Sequence, residues 1–344
     1  MVPSAGRSRV VWTGEEETQV ERKTGPKIAR DVQQGRPLVS AALSRAGVKN
    51  LRRIIRISDG GEPQLFYATL DLFVDLNPEQ TGVHMSRFSE VVEGLAEELT
   101  SEPFPNIESL AGRMAQRVME AQSAMRAEVR IRAHFPMAKT TPVTKKHTEE
   151  LYTLLGMAAS TQDRVRHLVG VEVEGLTVCP CAQDIMRTHS KDLLLENDFS
   201  QEQIDRILSI LPMASHNQRG RGTLMIGSEK RLRAEDLVLI AERSMSSETY
   251  ELLKRPDEFY VVDKAHRNPR FVEDVVREML RNVVRDYPEL SDDAFLLARQ
   301  ENFEGIHEHN AFAERFGTLA EIRPEIREGA HAAQHTALED WLTR

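Results

Sequence analysis

The sequence predicts an α+β fold, a sheet with its helices on one face. Three observations predict it. Runs with strand-like alternation come in pairs. Helix-period runs are grouped between those pairs, which excludes the regular alternation of a doubly wound fold. The order strand, strand, helix, helix, strand, strand then recurs, with a junction near Gln162 to Val165, although no residue-level repeat is visible.

Taken in order, residues 1–36 are polar and are expected to form a loose arm. From Gly47, V-K-N-L-R-R-I-I-R-I-S alternates apolar and basic residues as a half-buried strand does. Arg52, Arg53 and Arg56 then form its solvated face. Asp59-Gly60-Gly61-Glu62-Pro63 is a turn, and Gln64 to Leu76 completes a hairpin. Ser86 or Ser89 starts a helix with Phe88, Val91, Val92 and Leu95 on one side. A second helix spans Ile107 to Met125, with Leu110, Met114, Val118 and Ala121 on its apolar face. Strands follow at Ala127–Phe135, Leu151–Ala159 and Val165–Val178, and a short one at Gly222–Ile226. Ala234–Met245 is helical, with acidic residues in its first turn. Arg270–Tyr287 is a long amphipathic helix stopped by Pro288, and Ala294–Glu304 is a strand. The stretch from Arg323 is polar and expected to be peripheral. The organisation predicted is an arm (1–36), a first unit (37–162), a second unit (163–322) and a C-terminal tail (323–344).

The chain has 344 residues, of which 40% are hydrophobic and 29% charged, a folded composition. Its net charge of −9 argues against sequence-independent binding to nucleic acid. A local basic pocket for a phosphorylated ligand stays compatible with it. No apolar run reaches membrane-spanning length, and the N-terminus has no apolar signal core. Cytoplasmic residence is expected, with both cysteines reduced.

Chemistry concentrates between Val171 and Gly227. Both cysteines, Cys179 and Cys181, flank Pro180 where a strand ends and turns. Their plain alternative is two small buried side chains. A thiolate is a strong ligand for zinc or iron(II). His216 stands among Ser215, Asn217, Gln218, Arg219 and Arg221, followed by glycines, a set suited to phosphate or base recognition. His189 is nearer in sequence but has no such neighbours. His307 and His309 share a face if their segment is extended. His84 and Arg87 are candidates for an anion at a helix start. Glu258 and Glu273 stand out only through their surroundings.

Together G-V-H-M-S-R-F, V-C-P-C, S-H-N-Q-R-G, L-L-K-R-P-D-E, N-P-R-F-V-E-D-V-V-R and N-F-E-G-I-H-E-H resemble the prokaryotic type IB GTP cyclohydrolases and their archaeal-type relatives, across residues 30 to 315. The long segment between Cys181 and His216, with its helical F-S-Q-E-Q-I-D-R-I-L-S-I-L, is similar to the archaeal branch. The resemblance implies a tunnelling fold (T-fold) of two tandem ββααββ-like units, assembled as a homodimer or homotetramer with interfacial active sites. It implies Cys179, His216, Glu258 and His307 as metal ligands, with His309 beside the ion or exchanging with His307. Cys181, His216 and His309 would be catalytic. Glu273 would hold the guanine edge, and His84, Arg87, Arg219, Arg221, Lys254 and Arg255 the triphosphate. Iron(II) is the metal expected, with manganese or zinc as alternatives. The activity implied is metal-assisted hydrolysis at C8 of GTP with release of formate, for tetrahydromethanopterin or folate synthesis. The archaeal-type product is 7,8-dihydroneopterin 2',3'-cyclic phosphate, formed with diphosphate; the bacterial-type product is 7,8-dihydroneopterin triphosphate. Competing possibilities are another T-fold purine or pterin enzyme, such as a queuosine-pathway reductase, and a non-catalytic metal-binding scaffold.

Overall fold

A computed structural model describes residue 33 and residues 35–58, 63–101, 104–330 and 334–343, with backbone alone for 96–101. Nearly all of the predicted arm, and the turn at Asp59–Glu62, lie outside the described residues. The elements run β1 (Leu43–Ile57), β2 (Gln64–Leu76), α1 (Met85–Ser101), α2 (Ile107–Gln122), β3 (Arg126–Thr140), β4 (His147–Thr161) and β5 (Val165–Val178). They continue with α3 (Pro180–Glu196), α4 (Gln201–Ile210), β6 (Asn217–Gly227), α5 (Ala234–Arg243), β7 (Ser247–Glu248) and α6 (Arg255–Arg267). The last are α7 (Val272–Asp286), β8 (Phe295–Asn302), β9 (Ala311–Thr318), α8 (Leu319–Glu328) and α9 (Leu338–Thr343).

The nine strands among the described residues join one antiparallel sheet in the order β1-β2-β3-β4-β5-β6-β8-β9, with β7 beside the end of β5. The predicted junction between units is the tight connection from β4 to β5, which pair directly from Thr153 with Glu172 to Ser160 with Val165. Alternation sends Leu70, Leu72, Val129, Ile131, Val171, Leu224 and Leu296 to one face. There they pack with α1, α2, α5, α7 and α8. A smaller cluster on the opposite face joins Met157, Leu168, Phe295 and Leu297 to Trp341 and Leu342 of α9.

The two central helices correspond position by position. Ile107, Leu110, Ala111, Met114, Ala115 and Val118 of α2 match Val272, Val275, Val276, Met279, Leu280 and Val283 of α7, and all are buried. Glu108 matches Glu273 in the same register. Among these apolar positions only Met114 with Met279 and Val118 with Val283 are identical, too few for a residue-level repeat to show in the sequence.

Several elements differ from the sequence expectation. Cys179 does not merely end a strand. It is the N-cap of α3, with Pro180 at the first helical position, where proline costs no hydrogen bond. β6 begins five residues before Gly222 and runs through Gly220, where a Cβ would meet the buried Gln300 and Asn302, and Gly222, where it would meet Met245, Met279 and Gln300. α6 is unanticipated; only Asp257, Val261 and Ala265 of it are buried, too sparse a stripe for periodicity to register. β9 was not anticipated either. The tail from Arg323 is not peripheral: Trp341 and Leu342 are 3% and 0% exposed.

Candidate active site

One end of the sheet gathers most of the candidates. There β5 ends at Val178 opposite Asn217, β8 ends at Asn302 opposite Gly220, and the β3–β4 hairpin turns between Thr140 and His147. Cys179 continues β5 by one further bond: its N–H donates to His216 O at 3.1 Å, and Ser215 Oγ donates to Cys179 O at 2.6 Å. A cysteine and a histidine far apart in sequence are thereby fixed side by side. Cys179 is half-buried and Cys181 exposed, so neither is a small core side chain. Cys179 Sγ accepts from Ala182 N–H at 3.4 Å, and Cys181 lies in the first turn of α3.

His216 Nδ1 lies 3.1 Å from Gln218 Oε1 and 3.9 Å from Glu304 Oε2. Gln218 Nε2 donates to Thr177 Oγ1 at 3.0 Å and to Glu304 Oε1 at 3.3 Å. Both Gln218 and Glu304 occur within motifs of the sequence, Gln218 only as one of a set suited to phosphate or base recognition and Glu304 with no role. One motif letter on β6 and one just past the end of β8 show no link until the sheet aligns them.

The segment after β8 is pinned beside the start of β6. Phe303 N–H donates to Arg219 O at 2.9 Å, and a Cβ on Gly305 would lie 3.5 Å from Asn217 O. This segment carries His307 and His309, both exposed, with rings stacked 5.1 Å apart at 14°. α7 enters from the same end, since Arg270 N–H donates to Val178 O at 3.0 Å. Glu273 is exposed in the first turn of α7, three residues further on.

α6 bridges this end. Its last turn meets α3 through Gln183 Nε2, which donates to His266 O at 2.7 Å. Its first turn meets the β3–β4 hairpin through Asp257, which is 0% exposed. Asp257 accepts from Val143 N–H, Thr144 N–H and Lys254 N–H at 2.8, 2.9 and 3.1 Å, and from Thr144 Oγ at 2.5 Å. Burial alone would push this carboxyl up; those donors outweigh it and hold it below the usual range. Glu258, Lys254 and Arg255 are exposed beside it, roughly 12–18 Å along the helix from the α3 contact.

Other candidates are not brought together with Cys179. Arg219 and Arg221 bracket Glu174 at 3.1 and 3.3 Å. By strand alternation they face away from His216 and Gln218, onto the side of the sheet opposite α5 and α7. There they line a cleft of about 720 Å³ with Arg132, His134, Glu174 and Tyr250. Beside it, the buried Glu242 accepts from Lys139 Nζ at 2.6 Å and from Tyr152 Oη at 2.7 Å. Burial first, then Glu242, pushes the Tyr152 phenol far up, so it stays a donor. His84 and Arg87 are at the other end of the sheet, beside the end of α2, where Arg87 Nη1 donates to Ala121 O at 3.0 Å.

Among the described residues, no three of His, Cys, Asp and Glu stand close enough to hold one metal ion. The donor chemistry nevertheless fits a borderline-soft divalent ion in part: one thiol and one imidazole are fixed together at a strand end. Glu258 and His307 are at the same sheet end, exposed and not gathered onto that pair.

Comparison with known proteins supplies the lineage. Residues 29–313 match the family described as type I GTP cyclohydrolase folE2. The chain is 41% identical over 308 residues to GTP cyclohydrolase MptA of Methanococcus aeolicus, covering 86% of this chain and 99% of that protein. It is 42% identical over 306 residues to GTP cyclohydrolase MptA of Methanothermobacter thermautotrophicus, covering 87% and 96%. Uricase from Arthrobacter globiformis shares the fold, with a TM-score of 0.50 at 10% identity over 87% of this chain and 98% of that one. Family match, coverage and fold agree: the chain belongs to the type I GTP cyclohydrolase family.

Proposed function

We propose that the protein opens the imidazole ring of GTP at C8, releases that carbon as formate, and forms a dihydroneopterin. The observation that carries this is the junction of Cys179 with His216 at the sheet end where α7 presents Glu273. When bound, a divalent metal, iron(II) by preference or else manganese or zinc, would supply the Lewis acidity that makes water a nucleophile near neutral pH. Cys179, His216, Glu258 and His307 would hold it. Cys181, His216 and His309 would pass protons during the two hydrolytic steps. Glu273 would accept from the ring N–H and exocyclic amine of guanine, a pairing that suits a carboxylate.

The cations for the triphosphate are dispersed. Lys254 and Arg255 share the Cys179 end, Arg219 and Arg221 take the other sheet face, and His84 and Arg87 the far end. In this reading they reach one nucleotide only where copies of the chain abut, as a homodimer or homotetramer with interfacial sites. The matching registers of α2 and α7 support two tandem ββααββ-like units, 37–162 and 163–322. The α3–α4 insertion between β5 and β6 supports the archaeal-type product, the 2',3'-cyclic phosphate formed with diphosphate, rather than the bacterial-type triphosphate.

The test is anaerobic incubation with GTP and iron(II), manganese or zinc, with formate assayed and pterins identified by mass. Formate with a cyclic phosphate is expected; triphosphate would correct the product. Absence of formate and pterin with all three metals overturns the reading.

A further inference from the structure

For a neutral His216 ring, the bonds around it admit one tautomer. Gln218 is buried two residues along β6, so its side chain lies on the same sheet face as His216. One end of its carboxamide faces Thr177 Oγ1 at 3.0 Å and Glu304 Oε1 at 3.3 Å; the other faces His216 Nδ1 at 3.1 Å. A carboxylate only accepts hydrogen bonds. The amide end toward Glu304 is therefore the NH2. Reversing the amide would set two lone-pair oxygens 3.3 Å apart. The end toward His216 is the carbonyl oxygen, which also only accepts, so Nδ1 carries the hydrogen. A neutral imidazole protonated at Nδ1 has its free lone pair on Nε2.

We infer that Gln218, oriented by Thr177 and Glu304, is a positioning residue that locks His216 in the Nδ1–H tautomer and leaves Nε2 as the donor atom. The tautomer stands on the hydrogen bonds alone; its use, in metal binding, rests on the function proposed above. Outer partners of this kind fix both the ring orientation and the nitrogen offered to the ion. Gln218 thus does for His216 what backbone pairing with Cys179 cannot, because that pairing fixes only the main chain.

The test uses the full-length, metal-free protein with 15N-labelled histidine, at a pH where the ring is neutral. Two-bond proton–nitrogen correlations report the tautomer, and His216→Ala assigns the signal. The wild-type ring is expected to carry its hydrogen on Nδ1, and Gln218→Met to show mixed tautomers. Glu304→Gln removes the group that orients the amide without changing its shape; it is expected to mix the tautomers too, and serves if Gln218→Met does not fold. Manganese affinity, read by electron paramagnetic resonance, is expected to fall roughly 10- to 100-fold in Gln218→Met. A wild-type ring protonated on Nε2, or an Nδ1–H ring unchanged in both variants, overturns the assignment. An altered tautomer with unchanged manganese affinity overturns the role. A wild-type protein that releases no formate refutes the cyclohydrolase reading instead and leaves the tautomer measurement standing.

Discussion

Glu108 is a carboxyl held in an environment its type disfavours. It stands in the first turn of α2, 3% exposed, with Oε2 unpartnered among the described residues. Burial pushes its carboxyl from the ordinary value of 4.5 up to about 7, against a smaller opposing pull from its own backbone N–H. The folded state keeps this proton to a higher pH than the unfolded chain does. Its contribution is therefore fully present below about pH 4.5 and is lost as pH rises through about 7. At roughly 1.4 kcal/mol per pH unit the loss is on the order of 3 kcal/mol. Glu108→Gln, which keeps the neutral shape, should flatten this fall. Urea midpoints at pH 5 and pH 8 measure it; an equal fall in wild type and variant would show that Glu108 is not its source. Single residues were legible in the sequence where the motif itself carries the chemistry, as with Cys179 and His216. The pairing of Gln218 with Glu304 was not, because it lies in a bond between β6 and the segment after β8, 86 positions apart.

At the scale of elements, Asp257 fastens α6 to the β3–β4 hairpin and so sets where Glu258 stands. Its depressed carboxyl stabilises the fold above the ordinary value of 3.8, and that contribution disappears only in stronger acid. In Asp257→Asn, an NH2 replaces one acceptor facing the Val143, Thr144 and Lys254 donors. The melting temperature should drop by roughly 5 °C, and the Val143 and Thr144 amides should exchange faster with solvent. Unchanged exchange would mean that the hairpin is held by other contacts. Long strands and the strongly amphipathic α7 were plain in the sequence, since each buries a continuous stripe. α3 and α6 were not: α3 buries no residue and α6 only three, so neither writes a periodic pattern.

For the whole molecule, the dispersal of the cations is a statement about assembly. If His84 of one copy completes the site of Cys179 in another, two inactive variants can repair each other. Equal amounts of His84→Ala and Cys179→Ala, mixed and reassembled as dimers, should recover up to about a quarter of wild-type formate release, because half the dimers are hybrids with one intact site. No recovery, with exchange confirmed by native mass spectrometry, would place both residues in the site of one copy. The second core cluster is a separate matter of stability. Trp341 lies under the Arg166 guanidinium at 4.5 Å and beside Phe295 at 5.6 Å, with Nε1 donating to Asp293 O at 2.7 Å. Trp341→Ala should cost about 3–5 kcal/mol in urea unfolding, while the rate at which Cys181 reacts with a thiol reagent in the native state stays the same. No helix among the described residues is long and apolar enough to cross a membrane.

The place of α9 bears on how the chain is made. Most strands pair with a sequence neighbour, so the sheet can lengthen edge by edge as the chain leaves the ribosome. The Trp341 ring, however, fills the space above Gly227 at the end of β6, from a helix made after every strand it covers. Until α9 has emerged, Leu168, Phe295 and Leu297 have no cover from it. A nascent chain stalled before α9 would display a bare apolar patch on an otherwise finished sheet, a ready mark for a chaperone or protease.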